Sequence, residues 1–300
     1  MDNFIGIDGG GSGSRLVAID KNRSIIAQAE GGPTNLTALP YDTVRDNIKN
    51  LLAKSQMSGA DCKYIYMGCA GASTHDNTIR LHNILKETGY HGPATIINDA
   101  HLALLAATQG KPGIILIAGT GSIAYGMDIH GRLHRAGGWG HLIDDGGSGY
   151  RISMDAIKAA LMDFDKRGPS TILTQVITQY FGVSSPDEIL LHIYGHYFDK
   201  SHIAGVSILV HGAAAAGDAV AIKILDQAVT DLVALASKIF PRIGADRTSL
   251  VLSGGIILNS SYIHGAFREI IGREHPYLEI IDLPQSVAHA AAELALRSSL

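Results

Sequence analysis

Residues 8–15, DGGGSGSR, directly follow the apolar run 4–7, and this stretch decides the fold. A second stretch of the same kind, AGTGS at 118–122, follows the apolar run 113–117. After each glycine turn the sequence alternates, turns and returns, which predicts a β-hairpin rather than a helix. Because glycine has no Cβ, successive N–H groups can point into one concavity and approach an anion closely. The repeated pattern predicts two related domains whose hairpin tips face the phosphates of one nucleotide.

The glycine turns also fit other kinds of structure. Glycine dominates tight turns, so either turn alone could be an ordinary hairpin loop. Residues 119–124 also fit the loose GxGxxA pattern, but the dinucleotide fingerprint requires a helix directly after the glycines, and β-alternation follows here. The chain contains no GxxxxGK followed by Ser or Thr, which excludes a P-loop protein.

The composition narrows the class of protein. The 300 residues are 46% hydrophobic and 17% charged, which is typical of a folded globular chain. A net charge of −4 without a basic run argues against a nucleic-acid partner. The apolar runs are too short to cross a bilayer, so we expect no membrane partner, and a strand at the N-terminus predicts no signal peptide. The two cysteines, Cys62 and Cys69, indicate a reducing, cytoplasmic setting.

Helices and strands alternate after the first hairpin. The predicted helices cover about 41–55, 77–88 and 100–108, and the predicted strands cover 63–67 and 94–97. This alternation predicts an α/β fold with a mostly parallel sheet and right-handed crossovers.

Residues 109–113, QGKPG, are the best candidate for a linker between domains. We therefore expect an N-terminal domain over 1–112, with the sugar and phosphate contacts, and a C-terminal, nucleotide-binding domain over 113–300. The C-terminal domain opens with its own hairpin set and carries a helical insertion from 149 to about 239. Its last helix, rich in alanine, is a candidate for packing back on the N-terminal domain.

Five parts of the sequence carry a resemblance to a known superfamily. They are 8–15, 34–35, 98–99, the group 119–122 with 137–140 and Asp145, and 253–255. Together they resemble the actin/Hsp70/sugar-kinase superfamily, and more narrowly the BadF/BadG/BcrA/BcrD-type ATPase family and its N-acetylglucosamine kinase branch. The resemblance implies two duplicated actin-like (ribonuclease H-like) α/β domains around a nucleotide cleft, with ATP and Mg²⁺ as cofactors. It also implies a homodimer that phosphorylates a small amino sugar at the 6-hydroxyl, N-acetylglucosamine first and N-acetylmuramic acid second.

Asp99 is the candidate catalytic base. It follows the predicted strand 94–97, at the carboxyl end where ligands collect in open α/β sheets. A carboxylate there can accept a proton from a sugar hydroxyl that attacks the γ-phosphate, and the resemblance implies this role for the aspartate of the Asn-Asp pair. The open alternative is that Asp99 is the N-cap of helix 100–108.

Asp8 and Asn35 have roles that the resemblance implies. Asp8 would hold Mg²⁺ through water, and its alternative role is an Asx-turn acceptor that closes the glycine loop. Asn35 would hydrogen-bond the sugar, because an amide both donates and accepts. Its alternative is a plain loop asparagine.

The remaining candidates divide by ligand. The nucleotide contacts are expected from Gly10, Gly11, Ser12, Gly119, Thr120, Gly121, Gly254, Gly255 and Asn259. The sugar contacts are expected from Asn35, Asp99, Ser122, Gly138, Trp139, Gly140 and Asp145. Two of these groups have alternatives, since 253–255 could be a simple strand-to-helix connection and a lone Trp is more often a core residue.

The segment 144–149, DDGGSG, departs from the family pattern Asp-Glu-Gly-Ser-Gly. Gly146 stands where the family has glutamate, and Asp144 stands where it has glycine. A missing carboxylate with extra space predicts that a bulkier or more acidic sugar is admitted, and N-acetylmuramic acid with its lactyl carboxylate fits that hypothesis.

Three other functions compete with an amino-sugar kinase. An activator ATPase of a CoA-ester reductase or dehydratase would need cysteines for an iron–sulfur cluster, and Cys62 and Cys69 are poorly placed for one. A sugar- or nucleotide-sensing switch would need no base such as Asp99. A ROK sugar kinase would carry a cysteine-rich zinc motif, which this sequence lacks.

Overall fold

The computed structural model describes residues 2–11, 13–56, 62–195, 198–284 and 286–299. The chain forms two compact units, the first made of Met1–Lys111 with Asp282–Leu300 and the second of Pro112–Ile281. The first crossing between units lies one residue before the predicted boundary at 112/113. The segment 282–300, which the sequence places after that boundary, belongs to the first unit.

The first unit is built on a five-stranded sheet with the order β3-β2-β1-β4-β5. Its strands are β1 Asn3–Gly9, β2 Ser14–Asp20, β3 Ile25–Gly31, β4 Cys62–Cys69 and β5 Ala94–Asn98. The first three strands pair antiparallel, while β1 with β4 and β4 with β5 pair parallel. The hairpin that the glycine turn predicts is therefore confirmed, and so is the parallel arrangement of the later strands.

The second unit repeats this topology. Its strands are β6 Gly113–Ala118, β7 Ser122–Met127, β8 Leu133–Gly137, β9 Thr248–Ser253 and β10 Leu278–Ile281. The order β10-β9-β6-β7-β8 is the same connection pattern as in the first sheet, again with two antiparallel and two parallel neighbouring pairs. The α/β fold class is confirmed by two sheets of one design.

The duplication extends to single hydrogen bonds. Asp20, at the end of β2, accepts the N–H groups of Asn22 and Ser24 on Oδ1 at 2.8 and 2.9 Å. Asp128, just after β7, accepts the N–H groups of residues 130 and 132 on Oδ1 at 2.8 and 2.9 Å. The same side chain thus closes the second turn of each hairpin set.

Helices cover the sheets of both units. In the first unit they are α1 Tyr41–Lys54, α2 His75–Glu87, α3 Asp99–Thr108 and, from the C-terminus, α12 Val287–Ser298. In the second unit they are α4 Gly149–Phe164, α5 Leu173–Phe181, α6 Leu190–Tyr194, α7 Lys200–Gly205, α8 Ser207–Ala215, α9 Ala219–Ile243, α10 Gly255–Asn259 and α11 Ser261–Glu274, with a 3-10 helix at Pro186–Ile189. The alanines on one side of α12 are buried against β1, so the last helix completes the core of the first unit.

Within the described ranges, no single helix is long and apolar enough to span a bilayer. One pair, Lys200–Ala215 with Ala219–Ile243, has the length and composition only when joined across a bend of 120°.

Candidate active site

The carboxyl edge of the first sheet gathers two aspartates. Asp8 is the penultimate residue of β1, and Asp99 follows the last residue of β5. Strand β4 lies between them, with Asp8 opposite Gly68 and Asn98 opposite Cys69. Because the three strands are parallel, their ends meet at one edge of the sheet. The structure therefore brings together the two carboxylates that the sequence proposes for metal and base.

The start of α3 decides which residue is the helix cap. The N-cap is Asn98, whose Oδ1 accepts the N–H of Ala100 at 3.0 Å and whose Nδ2 donates to Ser73 Oγ at 3.0 Å. Asp99 is the first helical residue, and its Oδ1 also accepts the Ala100 N–H at 2.9 Å. The alternative of Asp99 as N-cap is wrong, because the neighbouring asparagine holds that position. The second carboxylate oxygen of Asp99 has no hydrogen-bond partner in the described part of the chain.

The pKa of both carboxylates is raised, by burial at Asp99 and by burial and a neighbouring charge at Asp8. Burial raises the pKa of Asp99, against the lowering effect of the N–H groups of Ala100 and Asp99 itself. Burial also raises the pKa of Asp8, the negative charge of Asp99 raises it further, and Arg15 lowers it. A carboxylate with a raised pKa accepts a proton more readily near neutral pH. The pair can therefore act as a base beside an anchor for a cation.

Asn35 lies beside the turn that follows β4. Its Oδ1 accepts the N–H of Thr37 at 2.9 Å, and a Cβ built on Gly71 would overlap that oxygen. Cys69, the last residue of β4, donates its thiol to the carbonyl of Thr34 at 3.1 Å. These contacts hold Asn35 at the carboxyl edge of β4, while its Nδ2 has no partner among the residues described.

The first glycine turn is closed by its own backbone. The N–H of Gly10 donates to the Gly13 carbonyl at 2.8 Å, and the Gly10 carbonyl accepts the N–H of Thr34 at 3.2 Å. Gly11 is exposed, and a Cβ at this position would meet no atom within 4 Å. Ser12 lies outside the described residues. The phosphate role of this turn stays a prediction.

The second glycine turn leads into helix α4 by direct hydrogen bonds. The Gly119 carbonyl accepts the N–H of Gly149 at 2.8 Å, and the Thr120 carbonyl accepts the N–H of Tyr150 at 3.3 Å. The Gly119 N–H donates to the Gly121 carbonyl at 2.9 Å. Thr120 is exposed, and its hydroxyl has no protein partner within the described ranges. That hydroxyl is free to bind a ligand.

Gly254 packs against this second turn. It has a φ of +95°, and a Cβ built there would lie 2.5 Å from the Ala118 carbonyl carbon and 2.9 Å from the Gly119 nitrogen. Only glycine allows both the backbone conformation and the approach. The two glycine motifs of the second unit are therefore adjacent, as a common nucleotide site requires.

A cavity of about 960 Å³ opens beside these turns, entirely within the second unit. Its lining includes Gly119, Thr120, Gly255 and Asn259 from the predicted set. The rest of the lining is Gly149, Ser201, Ala204, Gly205, Ser207, Ile208, His211, Ala214, Ala215, Leu225, Ile256, Ser260, Ser261 and Tyr262. A mostly small and apolar wall with a few polar groups suits a purine nucleoside.

His211 is a polar group of this cavity that the sequence does not predict. Its Nδ1 lies 3.4 Å from Ser260 Oγ, which already accepts the N–H of Ile263 as the N-cap of α11. Either the Ser260 hydroxyl or Nδ1 can be the donor in this contact. Burial lowers the pKa of His211, which favours the neutral ring, in which one nitrogen donates and the other accepts.

The loop after β8 is more exposed than expected. The Trp139 side chain is 63% exposed, with the Arg135 guanidinium 3.8 Å from its ring centroid. Gly138 and Gly140 flank it with φ of +71° and +90°. The alternative of Trp139 as a core residue is wrong, because the cation–π contact holds the ring at the surface.

Two other predicted sugar contacts are buried. Asp145 is 4% exposed, and its Oδ2 lies 3.5 Å from the Lys200 ammonium, which compensates the buried charge. Ser122 is 3% exposed and donates its hydroxyl to the Gly146 carbonyl at 2.7 Å. The Ser122 hydroxyl proton therefore holds the loop, and the sugar contact expected from Ser122 stays a prediction.

Gly146 faces Asp231 of α9. A Cβ built there would lie 3.0 Å from Asp231 Oδ2 and 3.1 Å from Asp231 Cγ. Asp231 is held by Gln227, whose Nε2 donates to its Oδ1 at 2.9 Å. A cavity of about 430 Å³ is lined by all three residues, and the hypothesis that the missing carboxylate admits a larger sugar stays a prediction.

Gly146→Glu is expected to destabilise the second unit by about 1–3 kcal/mol, since it overpacks the site and adds a charge beside Asp231. Asp231→Ala removes the carboxylate but leaves the Cβ of residue 231, which lies 3.1 Å from the built Cβ, so the double variant should recover part of the loss. Unfolding free energies of the four proteins of this cycle measure the coupling. Effects that add to within about 0.5 kcal/mol would show that the two positions do not interact.

Comparison with known proteins is consistent with this geometry. A curated protein of Clostridium acetobutylicum, named N-acetylmuramic acid/N-acetylglucosamine kinase, is 34% identical over 98% of each chain. One of Dictyostelium discoideum, named N-acetyl-D-glucosamine kinase, is 30% identical over 98% of each chain. A solved structure from Chromobacterium violaceum, provisionally named N-acetylglucosamine kinase, has a TM-score of 0.77 with 24% identity and covers 98% of each chain.

A solved structure of a ROK family glucokinase from Streptomyces griseus has a TM-score of 0.56 with 16% identity, and the match covers 98% of this chain and 99% of that one. The chain therefore shares the duplicated actin-like fold of these two solved structures. The model of the BadF/BadG/BcrA/BcrD ATPase family matches residues 5–293, which is nearly the whole sequence. The chain therefore belongs to the BadF/BadG/BcrA/BcrD ATPase family.

Proposed function

We propose that this chain is an ATP-dependent amino-sugar kinase that phosphorylates N-acetylglucosamine, and also N-acetylmuramic acid, at the 6-hydroxyl. One observation carries the proposal. Asn98 caps α3, and Asp99 beside it keeps a carboxylate oxygen free at the carboxyl edge of the sheet, next to Asp8. Two curated relatives that match 98% of the chain support it. The relative from Clostridium acetobutylicum is named as a kinase of both sugars, and the one from Dictyostelium discoideum is named as a kinase of N-acetylglucosamine.

Asp99 acts as the general base. Its carboxylate accepts the proton of the 6-hydroxyl while that oxygen bonds to the γ-phosphorus, and the bond to the β-phosphate oxygen breaks with release of ADP. The raised pKa of Asp99 improves it as a proton acceptor. Asn35, with an amide nitrogen left free, binds the sugar at the same edge.

Asp8 is the residue that would hold Mg²⁺, through water. Its donor set fits this ion, because a hard carboxylate oxygen whose pKa is raised by burial and by the Asp99 charge gains from a neighbouring cation. When bound, Mg²⁺ neutralises charge on the transferring phosphoryl group. No group of three or more His, Cys, Asp or Glu side chains that could hold a metal ion occurs among the described residues.

The second unit binds the nucleotide. Thr120 offers a free hydroxyl to the phosphates, Gly254 and Gly255 bring backbone close to them, and the 960 Å³ cavity takes the nucleoside. His211 lines this cavity and offers a ring nitrogen for a hydrogen bond with the base. The sugar is specified in part by the loop around Trp139, with backbone from Gly138 and Gly140.

The activator-ATPase alternative is poorly supported by the cysteines. Cys62 and Cys69 are the first and last residues of β4, about 23 Å apart along an extended strand. Both are buried, and burial raises the pKa of Cys62 to about 11 and that of Cys69 to about 12. Neither thiol is available as the thiolate that an iron–sulfur cluster needs.

A panel of sugars tests the proposal. With ATP and magnesium, we expect ADP release with N-acetylglucosamine and N-acetylmuramic acid, and much less with glucose or N-acetylmannosamine. Phosphorus–proton correlation spectra of the product locate the ester on the 6-oxygen. Absence of turnover with every amino sugar contradicts the kinase, and turnover of N-acetylglucosamine alone removes N-acetylmuramic acid. The homodimer stays a prediction that light scattering after size exclusion measures.

A further inference from the structure

A second cavity, of about 650 Å³, lies entirely within the first unit. We call it the α12 pocket, because residues along one side of α12 line it, together with the β2–β3 turn and the end of α3. Its polar lining consists mainly of Arg23, Gln28, Gln109, His289, Glu293 and Arg297. None of these belongs to the proposed catalytic, sugar or nucleotide contacts.

The charges of the α12 pocket are unpaired. Arg23 and Arg297 make no ion pair and no side-chain hydrogen bond with any residue that the structure describes, and the same holds for Glu293. The lining therefore presents two permanent cations against one carboxylate. Guanidinium groups with all their donors free bind phosphate in a bidentate fashion, which a lysine cannot do.

His289 adds an independent observation. Its Nε2 is fully buried and has no hydrogen-bond partner in the described part of the chain, where Thr248 Oγ1 is the only other such side-chain atom. Its backbone N–H is satisfied by Ser286 Oγ at 3.1 Å. An orphaned buried nitrogen is unfavourable, and native proteins rarely keep one without a ligand or water to satisfy it. The residue that carries this nitrogen also lines the α12 pocket.

We propose that the α12 pocket binds a small molecule that carries a phosphate group, with Arg23 and Arg297 on the phosphate oxygens. Gln28, Gln109 and Glu293 offer acceptors for hydroxyl groups, and Ile25 and Leu105 supply an apolar wall. The volume lies within the usual range for small-molecule sites. This ligand is separate from the nucleotide and the sugar of the catalytic proposal.

The α12 pocket includes residues close to both points where the chain leaves and re-enters the first unit. Gln109 lies two residues before Lys111, where the chain leaves the first unit, and Pro284 lies two residues after Asp282, where it returns. A bound ligand would contact both connecting segments at once.

Isothermal titration calorimetry on the full chain tests this site. Saturating N-acetylglucosamine and a non-hydrolysable ATP analogue occupy the catalytic contacts, and inorganic phosphate or N-acetylglucosamine 6-phosphate is titrated in. We expect one saturable event, at least about tenfold weaker in Arg23→Ala/Arg297→Ala, since two charge-assisted contacts are lost. Arg273→Ala is the matched control, because Arg273 is an exposed arginine of the second unit whose one ion pair is with Glu274.

Each outcome decides the proposal. Equal binding by the double variant and the control, or no binding of either probe to the wild-type chain, overturns it. Binding of both probes with equal strength identifies free phosphate as sufficient, and tighter binding of the sugar phosphate identifies a phosphate ester. Because binding is measured without turnover, a failed kinase assay leaves this result independent. The melting temperature without ligand verifies that each variant is folded.

Discussion

Asp99→Asn is expected to lower kcat by about 10²- to 10⁴-fold, with KM for sugar and nucleotide close to the wild-type values. The amide keeps the size of the carboxylate and still accepts the Ala100 N–H that Asp99 Oδ1 accepts at 2.9 Å. It has no basic oxygen to take the proton of the attacking hydroxyl. Because Asn98 rather than Asp99 caps α3, the helix start stays intact.

Steady-state kinetics with N-acetylglucosamine and a melting curve measure this effect. Asp76→Asn is the matched control, since Asp76 is an exposed aspartate in the first turn of α2, and it removes the same charge from the same unit. We expect wild-type kcat in the control and wild-type melting temperatures in both variants. If Asp99→Asn lowers kcat by less than tenfold, the general base is another group. A strong decrease in melting temperature would assign Asp99 a structural role.

Local patterns predicted most of this fold. The glycine turns at 8–15 and 118–122 are recognisable in the sequence because each directly follows an apolar run, and the alternation after each predicts the hairpin that the structure has. Local patterns also predict the strands that end at or just before Asp8 and Asp99. The cap of α3 was misplaced by one residue, since Asn98 and Asp99 are both good caps and only the backbone conformation chooses between them.

Long-range contacts were not predictable from one sequence. Lys200 contacts Asp145, which lies 55 residues earlier in the sequence, and Asp231 of α9 lies against Gly146. His211 and Tyr262 line the nucleotide cavity without any motif around them. In each case, the packing of helices decides which residues come into contact. The sequence around a single polar residue on a helix does not indicate whether its side chain makes a buried contact or faces solvent.

The position of α12 did leave a signal in the sequence, at Gly6. A glycine inside an otherwise apolar strand weakens the strand unless another backbone must approach closely. In the structure α12 crosses β1 at this residue. A Cβ built on Gly6 would overlap the Ala288 carbonyl oxygen and the Ala292 nitrogen, and would lie 2.7 Å from the Ala291 carbonyl carbon.

Gly6→Ala is therefore expected to destabilise the first unit by about 3 kcal/mol or more, at or beyond the upper end of ordinary overpacking. The obstacle is helix backbone rather than a flexible side chain, so relief requires α12 to move off the sheet. Asp8 lies two residues along the same strand, so we expect turnover to fall with stability. Urea denaturation followed by hydrogen exchange on α12 measures both the loss and its location.

Gly265→Ala is the control with the opposite expected sign. Gly265 lies within α11, and a Cβ there would meet no atom within 4 Å. Alanine in an exposed helix position is favoured over glycine by up to about 1 kcal/mol. A urea midpoint for Gly6→Ala equal to that of the wild type would show that α12 does not pack on β1 as described. A lower midpoint with fast exchange confined to α12 would support the conclusion that this C-terminal helix holds the strand carrying Asp8 in place.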